Sequence, residues 1–372
     1  MKSANIIMGL CFALTLTACH HKTNTQQQTT QALKYAQGFT ILQHDHYKEL
    51  VVTNPWVPGE ILNRYYLVKH DTTTVPTDGY KIKVPIKTIG ITSSTHVPFL
   101  QLLTEESSVV GICSPQLIYS QNIRERYAKR QIADMGDALN INTEQVIKLR
   151  PDILMATAYN NSDSHIEQLK RVGISIVYNI EWMETSLLAR AEWIKFMAAF
   201  YDKDAMADSI FQDIEAKYIY LEQLAATAKE KPSILSGGNF RGTWYVPAGN
   251  SYMGKLFQDA GATYFYANNK ETGSLPLTLE TVLANFSNAD FWVGSSATSM
   301  KELRNMDEKH TLFNAYKQNH VYNFNKRTTP DGANDFWETG VARPDLILAD
   351  LIKILHPELL PEHQLFFSCH LE

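Results

Sequence analysis

The chain has 372 residues, 44% of them hydrophobic and 20% charged, and a formal net charge of -5. At roughly 100–200 residues per domain this leaves room for two cores, and the composition is too apolar for a disordered chain. The lack of a basic excess argues against wrapping nucleic acid, and no internal stretch reaches the ~20 apolar residues of a membrane span. Four cysteines are too few for a disulfide-stapled scaffold.

Residues 1–18 start with a lysine at position 2, run apolar from Ile6 to Leu16 and end on small residues. That pattern predicts a secretory signal peptide. Leu16-Thr17-Ala18-Cys19 resembles a bacterial lipobox, in which Cys19 is lipidated and becomes the mature N-terminus. The alternative is a plain signal peptide followed by an incidental cysteine. Cys11 would leave with the signal, and the remaining Cys113 and Cys369 are expected as free thiols, although an oxidising compartment would permit a pair. The polar stretch HHKTNTQQQTTQ opens what reads as a flexible tether over residues 19–38.

From Phe39 to Lys69 the pattern is strand-like, with LVVT (50–53) and ILNRYYLVK (61–69) separated by the turn NPWVPGE. Residues 70–79 read as a loop. The period then changes. Strands are predicted at 86–91, 108–113, 152–156 and 174–179, with helices at 96–106, 141–150 and 165–173. A long helical stretch covers roughly 185–229, with Met206, Ile210, Ile214, Tyr218 and Leu221 stepping along one face. Phe211 and Leu224 widen that face. Lys231-Pro232 stops the helix. Alternation restarts with strands at 233–237, 243–247, 290–295 and 320–325 and helices at 251–261, 277–286 and 311–319. A last helix spans 337–356.

Strands alternating with helices predict parallel sheets covered on both faces. The chain therefore divides into leading strands plus an α/β lobe (39–184), a linking helical segment (185–230) and a second α/β lobe (231–372). Each lobe carries a glutamate at the start of a helix that feeds a strand. These are Glu144 before Asp152-Ile-Leu-Met and Glu280 before Asp290-Phe-Trp-Val.

NTEQVIKLRPDILMA, ETVLANFSNADFWV and, above all, NDFWETGVARPDLILADLIKILHPELL resemble the periplasmic substrate-binding proteins of ABC importers for ferric siderophores, haem and vitamin B12. The likeness runs from about Phe39 to Leu360, and the lipid-anchored forms with extra N-terminal strands are the most similar. It implies two Rossmann-like α/β lobes joined by one long helix, a ligand held between them, and a periplasmic, membrane-anchored monomer that hands its ligand to a permease. It also implies that Glu144 and Glu280 dock onto permease arginines through charge-assisted hydrogen bonds. Helix-dipole placement is the other reading of both glutamates.

Ligand contacts are expected on loops after strand C-termini. In the first lobe that rule selects Tyr119, Tyr159 and Trp182. In the second it selects Phe240, Arg241, Trp244, Tyr245, Asn334, Phe336, Trp337 and Arg343. Aromatic rings would stack on a planar chelate or corrin, and arginine would meet its negative charge. Core packing is the competing reading for Trp244 and Trp337, and an intralobe ion pair for Arg343. No cofactor is expected beyond such a ligand, an iron chelate or a corrinoid. Capture of a bare zinc or manganese ion would need His96 to find histidine partners in the second lobe, where none is convincing. His44 and His46 precede the lobes. No Gly-x-Ser-x-Gly elbow, Gly-rich phosphate loop or Gly-x-Gly-x-x-Gly follows an early strand, so the chain is not expected to be an enzyme.

Overall fold

The computed structural model describes residues 29–159 and 163–372. The signal peptide and the lipidation of Cys19 lie outside the described residues.

Five strands form an accessory sheet: β1 (Thr29–Gln31), β2 (Phe39–Gln43), β3 (Tyr47–Thr53), β4 (Ile61–Val68) and β5 (Tyr80–Lys83), in that spatial order. Alternation turns Phe39, Ile41, Leu50, Val52, Tyr65 and Leu67 to one side, where they are fully buried. There they pack with Phe196 and Phe200, each large side chain contributing about 1.5–3 kcal/mol of burial. The flexible tether expected over 19–38 is corrected for its last ten residues. Thr29–Gln31 pairs antiparallel with β2, and residues 34–38 are bonded to buried carboxylates. Polar composition misleads here because the partners of these residues lie about 150 positions away in sequence. The stretch read as a loop at 70–79 leads directly into β5, which lies parallel to β4.

The first lobe follows with β6 (Ile89–Ile91), α1 (Val97–Leu102), β7 (Val109–Ile112), α2 (Gln121–Ala128) and β8 (Ala133–Asp134). A small hairpin comes next, β9 (Gly136–Asp137) with β10 (Asn140–Ile141). Then come α3 (Thr143–Leu149), β11 (Ile153–Ala156), α4 (Ser164–Arg171) and β12 (Ile176–Tyr178). The sheet is parallel in the order β12-β11-β6-β7-β8.

The linking segment is three helices, not one: α5 (Leu187–Glu192), α6 (Ile194–Ala199) and α7 (Asp204–Ala226). The break before α7 falls at Asp202, whose φ of 57° is left-handed and cannot continue a helix. α7 is the longest link between the cores; α5 also gives Leu187 and Leu188 to the second core and Ala191 to the first, and Val341 and Ala342 of the second lobe pack into the first core. The 23 residues of α7 span about 35 Å. Ala207 and Phe211 enter the first core, and Tyr218, Leu221 and Ala225 enter the second.

The second lobe contains β13 (Ile234–Ser236), β14 (Gly238–Phe240), β15 (Thr243–Pro247), α8 (Tyr252–Asp259), β16 (Ser274–Leu277), α9 (Leu279–Phe286) and β17 (Phe291–Val293). It ends with α10 (Met300–Met306), α11 (Asn314–Lys317), β18 (Val321–Asn323), α12 (Thr339–Ala342), α13 (Pro344–Leu355) and β19 (Cys369–His370). Strands β13, β17 and β18 are parallel and β19 closes the edge antiparallel. The single helix expected over 337–356 is interrupted at Arg343 (φ -124°, ψ 61°), because the residue before Pro344 is driven out of the α region. Cys113 and Cys369 are both free; burial pushes the Cys113 thiol up to about 12.

Candidate functional site: the interlobe face

Loops after the C-terminal ends of parallel strands are where ligands meet such sheets, and exposed aromatic rings stand in three segments: just after β11, in the β14–β15 hairpin and just before α12. In the first lobe Tyr159 follows β11 and its ring lies 5.9 Å from that of Trp182, the pair tilted at 39°. Tyr159 is 47% exposed. A depression of about 660 Å³ opens beside it, at the ends of β6, β11 and β12, walled by Thr92, Thr157, Tyr178 and, from the accessory sheet, Leu62. The indole Nε1–H of Trp182 is buried without a hydrogen-bond partner among the described residues.

In the second lobe the β14–β15 hairpin projects Phe240, 62% exposed, at its tip. Gly237 makes this hairpin possible: its φ is 80°, and a Cβ there would lie 2.2 Å from the Tyr245 carbonyl oxygen. Arg241, also left-handed at φ 53°, lies 5.1 Å over the Phe240 ring. Alternation along β15 then decides two residues in opposite ways. Tyr245 faces outward. Trp244 is completely buried, its Nε1–H donating to the Ser236 carbonyl at 3.0 Å and its ring packed 5.2 Å from Trp292. Trp244 is therefore core, which corrects its assignment as a ligand contact.

Trp337 is 53% exposed and sits edge-on against Phe336 at 4.7 Å. Phe336 itself is buried and stacked on Phe324, and Asn334 donates to the Phe324 carbonyl; both support Trp337 from below rather than facing ligand. Arg343 is corrected as well. Its guanidinium makes two parallel bonds of 2.8 and 2.7 Å to buried Asp345, an ion pair inside its own lobe at the start of α13.

Tyr119 is placed at a direct seam between the lobes. Its backbone N–H and that of Ser120 donate to the two oxygens of Glu338 at 2.7 and 2.8 Å. Glu338 is 1% exposed, and burial raises its carboxyl to about 8. Arg327 lies 5.3 Å over the Tyr119 ring while its Nε donates to buried Asp335 at 2.5 Å, and Arg124 pairs with Asp331 at 2.8 Å. A hollow of about 820 Å³ runs along this seam. Glu338 was missed by the sequence reading. Nothing local separates it from Asp345 and Asp350, the other acidic residues of the stretch 337–356.

A hollow of about 860 Å³, larger than the two above, lies elsewhere, against the accessory sheet. Its lysines are already neutralised, Lys48 by Asp204 at 2.6 Å and Lys69 by Asp202 at 2.8 Å, so size does not make it the better site. His96 is fully buried, both ring nitrogens lack partners among the described residues, and burial lowers its pKa to about 3. His44 bonds Glu49 and stacks on Tyr47. Among the described residues no group of three or more histidine, cysteine or carboxylate side chains is arranged to hold a metal ion.

Glu144 and Glu280 occupy matching places. Each lies in the first turn of a short helix, α3 capped by Asn142 and α9 capped by Thr278, and both are exposed. Each helix turns back directly into a parallel strand, β11 or β17. The helix N-termini, and with them the glutamates, therefore stand level with the strand C-termini on the two lobes. The amide of its own first turn and then Lys309 hold the Glu280 carboxyl below the usual carboxylate range.

Two α/β lobes bridged by the long helix α7, with exposed aromatic rings on each, are the architecture of a solute-binding protein. The chain belongs to the periplasmic binding protein family, whose pattern matches residues 91–328. An uncharacterized lipoprotein of Methanocaldococcus jannaschii is 26% identical over 90% of this chain and 84% of its own length. A solved periplasmic heme binding protein from Pseudomonas aeruginosa superposes with a TM-score of 0.56 at 17% identity, covering 73% of this chain and 93% of that one. A solved structure from Staphylococcus epidermidis, described as a possible iron-binding (periplasmic solute-binding) protein, has a TM-score of 0.58 at 17% identity, covering 73% and 99%. At such identities the two structures share the fold. Proteins of this family bind solutes for ABC-type transport and are not enzymes.

Proposed function

We propose that this chain captures an iron chelate, a siderophore or haem, between its lobes and delivers it unaltered to the permease of an ABC importer, as a monomer lipid-anchored through Cys19 on the periplasmic side. The carrying observation is the exposure of four large rings, Tyr159 just after β11, Phe240 and Tyr245 in the β14–β15 hairpin and Trp337 just before α12, all at least 44% exposed. Four large rings left in water forgo burial worth a few kcal/mol, and a planar or catechol-bearing guest recovers it. Arg241 beside Phe240 supplies a cation for a negatively charged chelate. Glu144 and Glu280, exposed at equivalent helix starts, are the permease-docking pair, since carboxylates there can each take two bonds from a partner arginine. The iron and haem descriptions of the two solved proteins support this ligand class.

The test is a tryptophan-fluorescence titration of the purified mature chain with a ferric catecholate siderophore, haemin and cyanocobalamin. Saturable quenching by either iron chelate is expected, weakened in Phe240→Ala and Trp337→Ala. Saturation by cyanocobalamin alone would reassign the ligand to a corrinoid, and no response to any of the three would overturn the proposal.

A further inference from the structure

The ten residues before β2 do more than lead into a sheet. Five successive backbone N–H groups, from Lys34 to Gly38, are taken by two buried carboxylates, Glu184 just before the linking segment and Glu192 at the end of α5. Glu192, fully buried, accepts from Lys34 at 3.0 Å, Tyr35 at 2.8 Å and Ala36 at 2.9 Å. Glu184 accepts from Gln37 at 3.0 Å and Gly38 at 2.9 Å, and also from the Trp193 indole at 2.9 Å. Side chains of the same segment reach the bridging helix. Lys34 Nζ and the Tyr35 hydroxyl both donate to Glu215 at 2.8 Å, halfway along α7, and Gln31 donates to Asp208 two turns earlier at 3.3 Å.

The segment also touches both halves of the molecule. Tyr35 packs against the hydrophobic core of each lobe, with Phe211 edge-on at 6.0 Å. Gly38 closes the segment where no side chain fits: a Cβ there would meet the Trp193 ring at 2.8 Å and Glu184 at 3.1 Å. A chain segment wedged between two cores, bonded to the helix that joins them and to the turn that starts the link, resists any change in the angle between the cores.

We propose that residues 29–38 are a strap that fixes the relative orientation of the two lobes, so that a single bridging helix does not by itself set how far they swing. This goes beyond the ligand reading and does not depend on it. α7 can bend only gently, and the Glu338 seam joins the lobes at one margin; the strap adds the contact that runs along α7 itself and opposes rotation about that seam.

The experiment uses the full mature chain with Cys19, Cys113 and Cys369 replaced by alanine and spin labels on cysteines introduced at the exposed positions Lys148 and Lys301, one in each lobe. Pulsed dipolar spectroscopy reads the spread of interlobe distances, and hydrogen exchange reads whether the amides of 34–38 are still bonded. Lys34→Met with Tyr35→Ala removes the Glu215 bonds and the wedge. Gly38→Val lifts the segment by steric clash, so a folding failure of one variant leaves the other. Amide exchange at least about tenfold faster, together with a distance distribution about twice as broad, is the expected result. A lifted strap with an unchanged distance spread would overturn the proposal. So would amides that stay protected in both variants, since the named contacts would then not hold the segment.

Discussion

Raising the pH should loosen the seam at Glu338. In the folded chain burial raises this carboxyl to about 8, against 4.5 for an exposed one, and nearby Asp335 and Glu106 push the same way. The folded state therefore binds the proton more tightly than the unfolded state. Its contribution to stability is fully present below about pH 4.5 and is lost as pH rises through about 8. At about 1.4 kcal/mol per pH unit, a window of about 3.5 units corresponds to several kcal/mol, a large share of a typical 5–15 kcal/mol total. Glu338→Gln carries a neutral amide at all pH values. Its one carbonyl oxygen accepts from the Tyr119 or Ser120 N–H, but its NH2 faces the other N–H as a second donor, so one of the two bonds is lost. Urea unfolding should therefore give a lower midpoint for the variant at pH 5. Toward pH 9 the wild-type midpoint should fall while that of the variant stays level. Parallel curves across the whole range would refute the reasoning.

Three other outcomes follow from the placement of single residues. Trp244→Ala should cost about 3–5 kcal/mol in urea unfolding because it empties a closed cluster with Trp292 and Phe313, whereas Phe240→Ala should leave stability within about 0.5 kcal/mol and weaken binding of a ferric siderophore or haemin. Glu144→Ala combined with Glu280→Ala should leave that binding unchanged and abolish uptake in cells; lost binding would contradict a docking role. Below pH 6.5 a separate loss is expected from His96, which is buried neutral with its pKa lowered to about 3. Its contribution is present above about 6.5 and disappears as pH falls toward 3, so His96→Phe should flatten the acid limb of the midpoint-versus-pH curve.

Much of the architecture was legible from periodicity. The apolar runs that became β6, β7, β11, β12, β13, β17 and β18 stand out because a strand buried on both faces must be apolar throughout. The stripe along α7 was also legible, though its centre is rotated onto Ala207, Phe211, Ile214, Tyr218, Leu221 and Ala225. Short elements escaped: α2 has one fully buried residue, Ile123, and α10 has one, Leu303, too few to make a period. Among the site residues, Phe240 and Trp244 looked alike as aromatics near a strand end. Only the pairing of β14 with β15 put one ring in solvent and the other under Trp292.

Local chemistry along the chain was enough to determine two α/β lobes, a helical bridge and the pair of exposed helix-start glutamates. These features depend on side-chain period and on neighbours within a few positions. The seam at Glu338, the Arg343–Asp345 pair that removes an arginine from the ligand face, and the seat of residues 34–38 on Glu184, Glu192 and Glu215 were decided by the tertiary structure. In the seam and the strap, the carboxylates find backbone N–H groups some 150 to 220 residues away, and no local pattern records which amide will arrive.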